Sequence, residues 1–175
     1  MKQWNVRTIA LVTVMMAVTA TLTLVIQIPI PATGGYIHFG DIAANFCALA
    51  FGPWAGFLIA GGGMALADIL AGYATFAPAT LIVHGLQGVV VGYLGRNRKP
   101  WIMMVAAVAG GIVVVGGYFL YEWLILAQGS TEGLNAALTE VLGNIIQVSV
   151  GLVGVPIYMM VARAYPPITR WAERG

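Results

Sequence analysis

The sequence predicts an all-α integral membrane protein, a single bundle of six transmembrane helices with both termini on the cytoplasmic side. Three observations lead there. Apolar residues make up 60% of the 175 residues and charged residues only 8%, against about 25% charge in a soluble domain. The length holds roughly six apolar spans of about 20 residues with short connections. Lys and Arg fall only in alternate connections. Lys2 and Arg7 precede the first span, Arg96, Arg98 and Lys99 follow the fourth, and Arg163, Arg170 and Arg174 follow the last. Basic residues accumulate on the cytoplasmic side of a span, so this alternation gives an even helix count, N-in and C-in.

Composition also removes function classes. Mean hydropathy is +0.90, and a net charge of +2 gives no basic footprint for nucleic acid. Cys47 is the only cysteine and sits in an apolar run, so there is neither a disulfide framework nor a thiolate metal site.

Each span follows from its run and its breakers. The first covers residues 6–27; its apolar run from Thr8 to Ile28 exceeds the roughly 7–15 residues of a signal-peptide core, so it reads as a retained span. Pro29, Pro31, Gly34 and Gly35 then stop the helix and turn the chain. The second apolar segment, 39–51, covers only about 20 Å at 1.5 Å per residue. It is shorter than the roughly 30 Å hydrocarbon core, hence tilted or sunk within protein. Gly52-Pro53 ends it. The third span is 54–71 and the fourth 77–94, before the basic loop at Arg96. The fifth is 101–127. A polar loop, Gln128 to Asn135, precedes the sixth at 136–164.

Polar residues inside these spans concentrate in the outer half. Asp41 and Asn45 enter the second helix one turn apart, Asp68 ends the third, and His84 and Gln87 share a face of the fourth. Glu122 lies near the outer end of the fifth. Glu140, Asn144 and Gln147 descend one face of the sixth. Polar side chains are costly in lipid, so they converge on one another, on water or on a ligand. A single outward-facing pocket, capped by the Pro29–His38 segment as a lid, accounts for them. Its candidate lining is Tyr36, His38, Asp41, Asn45, Asp68, Tyr73, His84, Gln87, Glu122, Asn144 and Gln147. Bland readings stand beside several of these. Asp41 also suits a helix cap, Asp68 can satisfy loop amides, and His84 can serve as a structural hydrogen-bonding residue. Glu140 reads as solvated near the surface. Tyr36, Tyr73, Phe76, Tyr118, Tyr121 and Trp123 fall at one level, where they either stack a flat heterocycle or form the interfacial belt.

No HExxH, GxSxG or Walker A motif occurs, so an enzyme is not expected and any ATP-driven work belongs to another subunit. His38, Asp41, Asp68 and His84 are metal-ligand types, but their spacings carry no ligand signature; no metal and no intrinsic cofactor is expected. On the first helix, Thr13, Ala17 and Thr21, with Ala10 and Ala20 nearby, form a small-residue face suited to close helix approach, either within the bundle or to a partner membrane subunit.

The run from Pro31 to Gly95, with its ATGGY-x-H-x-GD, FGPWAG, ALAD and GY segments, resembles the substrate-binding S components of energy-coupling factor (ECF) vitamin transporters. It is most similar to the group containing the hydroxymethylpyrimidine and pyridoxine S components. The resemblance implies a six-helix protein of the prokaryotic plasma membrane that captures a vitamin or its precursor from outside. It implies a transmembrane coupling subunit and two cytoplasmic ATPase subunits as partners, with contacts to the coupling subunit in the region of Ala10, Thr13 and Ala17. It also implies that the loop between the first two helices gates the ligand. Members similar here often carry Lys where this chain has His84, and a neutral imidazole suits a ring nitrogen or hydroxyl rather than an acidic group. Two other classes remain: a non-transporting structural subunit of a membrane complex, which predicts no tight ligand, and an intramembrane enzyme, which predicts turnover.

Overall fold

The computed structural model describes residues 5–31 and 34–173. Lys2 and Arg174 of the charge pattern, and Ala32 and Thr33 of the lid segment, lie outside the described residues. The chain is a mostly helical membrane protein. Among the described residues, five helices are long and apolar enough to cross a bilayer: α1 (Val6–Val25), α3 (Pro53–Ala71), α4 (Ala77–Gly95), α5 (Pro100–Leu126) and α6 (Thr131–Ala164). The shorter apolar helix α2 (Gly40–Phe51) lies between α1 and α3, and a 3-10 segment, Pro166–Glu173, follows α6.

At 12 residues α2 is too short to cross alone, and it is sunk in protein: all but two of its residues are buried. Leu49, Cys47, Ala48 and Ala50 are wholly inaccessible and form the core with Ile59, Val91, Val155 and Tyr158. Gly52 stops α2 with φ 90°, a conformation open to glycine at little cost. Pro53 then starts α3 at a position where its missing N–H is no loss. The α3 and α4 backbones touch. A Cβ on Gly88 would lie 2.5 Å from the Gly56 carbonyl, so neither position accepts a side chain. The residues Leu58–Gly62 of α3 wind as a π turn.

Three boundaries differ from the sequence reading. α1 ends at Val25, because the chain enters a two-stranded antiparallel hairpin, β1 (Gln27–Ile30) and β2 (Gly35–His38), where a loop was expected. Pro29 pairs with Tyr36 in its register; each strand is an edge, where proline is tolerated. α6 begins at Thr131, five residues early, because the Ser130 side chain caps it by accepting the Gly133 N–H at 3.1 Å. It also breaks at Leu152–Val153. Pro156 supplies no N–H for the Leu152 carbonyl and its ring crowds that oxygen. On either side of the break Gly151 and Gly154 lie against α2: a Cβ at Gly154 would sit 2.3 Å from the Ile42 carbonyl oxygen.

Candidate binding site

Helix α2 places Asp41 at the centre of a buried polar network. Its carboxylate accepts Nε2–H of Gln87 from α4 at 2.6 Å and Nε2–H of Gln147 from α6 at 2.8 Å. These bonds orient both amides. Gln87 therefore turns Oε1 toward His84, 2.7 Å from Nδ1. An amide oxygen only accepts, so His84 carries its proton on Nδ1, and Nε2 has no partner inside the protein. Asp41 Oδ1 also lies 3.6 Å from His84 Nδ1. Gln147 Oε1 accepts the backbone N–H of His38 at 3.0 Å. One glutamine thus ties the hairpin, α2 and α6 together.

The hairpin is held at a second point. Tyr36 donates its hydroxyl to Asp68 of α3 at 2.6 Å. Burial, then the hydrogen bond to the Asp68 carboxylate, holds the Tyr36 phenol above its usual range. Burial pushes the His38 imidazole down to about 4, against the pull of Asp41, so it is neutral at pH 7. Rings run from the hairpin to α5: Tyr73 to Tyr36 at 4.5 Å, Tyr36 to His38 at 5.5 Å, His38 to His84 at 5.5 Å and His84 to Tyr118 at 5.6 Å between centroids.

Beneath the hairpin a small cavity of about 20 Å³ is lined by Tyr36, His38, Asp68, Asn144 and Gln147, all expected, and by Gly35, Phe76, Tyr118 and Glu140. It holds little more than one water molecule, so a heterocycle enters only if the hairpin shifts. The other candidates fall elsewhere. Asp41, His84 and Gln87 form the buried layer behind the lining, and Tyr73 stacks on Tyr36. Asn45 donates Nδ2–H to the Gly151 carbonyl at 2.9 Å, bracing the α6 break. Glu122 is buried next to Glu140.

Glu140 corrects the sequence reading. It was expected near the surface in solvent, but it is 3% exposed and lines the cavity. The hairpin covers it: a Cβ on Gly35 would lie 2.8 Å from Glu140 Oε1. Its shared face with Asn144 and Gln147 was the signal available in the sequence. Tyr118, whose hydroxyl lies 2.7 Å from Thr80 Oγ1, carried no signal beyond its level. Of the four metal-ligand types, His38, Asp41 and His84 converge, with ligand atoms within 4.8 Å of one another. Both Asp41 oxygens already accept amide N–H groups, and His38 Nδ1 accepts the Gly40 N–H at 3.2 Å.

The small-residue face of α1 points outward, with Ala10, Thr13 and Ala17 all exposed. Thr19 and Thr23, on the opposite side, are buried and bond back to carbonyls of their own helix.

Residues 3–163 match the model of the ECF-type riboflavin transporter S component family. The chain belongs to that family. It is 30% identical over 150 residues to the thiamine precursor transporter HmpT of Lactococcus lactis subsp. cremoris, covering 85% of this chain and 83% of that protein. It is 37% identical over 138 residues to a Pyrococcus woesei protein described as an uncharacterized protein in the gap 3′ region, covering 78% of this chain and 88% of the relative. The family match and the transporter relative support a transport component of a multi-pass membrane protein class.

Proposed function

We propose that the chain is the substrate-binding S component of an ECF-type importer in a prokaryotic plasma membrane. It captures an unphosphorylated hydroxymethylated pyrimidine or pyridine at the hairpin-covered end, which faces outside in an N-in, C-in topology. One observation carries this reading: the hairpin is latched by Tyr36–Asp68 and His38–Gln147 directly over a buried polar cavity. Asp68, Asn144 and Gln147 offer hydrogen bonds to the ring substituents, His38 and Tyr118 flank its plane, and the layer formed by Asp41, Gln87 and His84 fixes the lining side chains.

Charge narrows the ligand class. Asp41, Asp68, Glu122 and Glu140 are all buried at this end, and among the described residues every Lys and Arg lies in segments at the opposite end. A ring bearing amino and hydroxyl donors suits such a site, and a phosphate ester meets carboxylates without a compensating cation. The exposed face of Ala10, Thr13 and Ala17 serves as the contact with a transmembrane coupling subunit, and two ATPase subunits supply the energy.

Native mass spectrometry of the purified protein, with release of bound small molecules, tests the reading. The expected result is a stoichiometric pyrimidine or pyridine, and a rise in thermal stability with that compound but not with its phosphate ester. No bound compound, and no stabilisation by hydroxymethylpyrimidine, pyridoxine, thiamine or riboflavin, would favour a structural subunit instead.

A further inference from the structure

The opposite end of the bundle carries a second built feature. A groove of about 440 Å³ opens between the start of α5 and the end of α6. Arg98 and Arg163 stand on its rim with Asn97 and Thr169, and Met103, Tyr158, Met159 and Ala162 give it apolar walls. None of its lining residues is acidic. Among the described residues neither arginine has a carboxylate partner. The groove is shaped by the fold. Arg96 donates to the Thr169 carbonyl at 2.9 Å and holds the 3-10 tail as one wall, while Trp171 of that tail packs edge-on against Phe51 at 5.7 Å.

We propose that this groove binds the phosphate headgroup of an anionic membrane lipid. Two guanidiniums on one rim match a phosphate by charge and by geometry. The N-terminus of α5 opens at the same place, with Lys99 at the cap position, so the positive end of the helix dipole adds to the potential. The walls favour a lipid over a free anion. Met159 and Ala162, half-buried over the buried Met103 and Tyr158, continue the phosphate-binding rim into apolar surface that suits the first methylenes of an acyl chain. Tyr93, Trp101 and Tyr165 are exposed around the same end, the placement that aromatic residues take at a headgroup boundary. Basic pockets between helices on the positively charged side of a membrane protein bind such headgroups. The site is separate from the hairpin-covered cavity and does not depend on which vitamin is carried.

The test is native mass spectrometry of the full chain from mixed micelles holding equal phosphatidylglycerol and phosphatidylcholine. The wild type should retain phosphatidylglycerol over phosphatidylcholine by about tenfold. Arg98→Gln with Arg163→Gln should abolish that preference, and Arg98→Lys with Arg163→Lys should keep most of it. Thermal unfolding of each variant in lipid-free detergent, unchanged from wild type, shows that the fold is intact. Equal retention of the two lipids, or an undiminished preference in the Gln pair, overturns the proposal. So does displacement of the bound lipid by millimolar inorganic phosphate, which would mark a site for a free anion. A Gln pair that keeps its lipid preference but no longer co-purifies with partner subunits would mark the groove as a protein-docking surface and overturn the lipid assignment.

Discussion

The two ends of the bundle handle polar groups in opposite ways. At the hairpin end, carboxylates, amides and imidazoles are drawn inside and bonded to one another; Asp41, His84, Gln87 and Gln147 are each at most 2% exposed. At the other end Arg98, Lys99, Arg163 and Arg170 are exposed, while Arg96 donates to the Thr169 carbonyl. Buried polar groups are costly unless every partner is present, so the hairpin end is a cooperative unit in which removing one group strands others. Solvated cations strand nothing when removed. The contrast separates a closed, mutually bonded interior from an open, charged surface.

The sharpest way to break this comparison is Asp41→Ala. It leaves two buried glutamine amides without their acceptor, and about 3–5 kcal/mol of stability should be lost. Ligand binding should go with it, as read by thermal unfolding and calorimetry in detergent. A loss below about 1 kcal/mol would mean that the network is not cooperative. Next is Tyr36→Phe, which removes one latch of the hairpin while keeping the ring stack on Tyr73. A hydrogen bond to a charged group is worth about 1.5–3 kcal/mol, so ligand dissociation measured by stopped flow should accelerate about tenfold or more, with association little changed. The opposite end should respond weakly. Arg96→Gln releases the tail from its carbonyl bond and should cost about 1 kcal/mol, leaving ligand affinity at the wild-type value; a large affinity loss would couple the two ends.

The smallest effect at neutral pH belongs to His38. Its folded-state pKa, about 4, lies below the ordinary value of about 6.5. Between these values the unfolded chain takes up the proton and the folded one does not. Stability is therefore intact above about pH 6.5 and falls as pH drops toward 4, by at most about 1.4 kcal/mol per unit. His38→Gln should flatten that limb of a pH–melting curve, while melting above pH 7 moves little.

Much of the fold was legible because its signals are local. The span limits follow runs and breakers: Gly52-Pro53 and Pro100 fall where helices start in the structure. The early start of α6 was missed because Thr131, Glu132, Gly133 and Asn135 leave Leu134 alone as an apolar residue there, although Ser130 is a capping residue in plain view. The hairpin was missed because its strands are four residues long and carry Pro29, which marks a loop in most settings. In the candidate site, the sequence placed Asn144, Gln147 and Glu140 on one face, but depth alone put Glu140 in solvent; the hairpin folding over it decides otherwise. Asn45 shares a face with Asp41, yet it serves the α6 break and not the cavity.

The sequence by itself determined that this chain is a mostly helical membrane protein, roughly where its long apolar helices fall, and where its cations stand along the chain. Those properties are sums of transfer energies and charges, each set by a residue and its near neighbours. Only the tertiary structure decided which polar groups meet. His38 and Gln147 are 109 positions apart and Asp41 and Gln147 are 106 apart. Their contact depends on how closely glycine-faced helices approach and on where Pro156 turns α6, and no local pattern encodes that geometry.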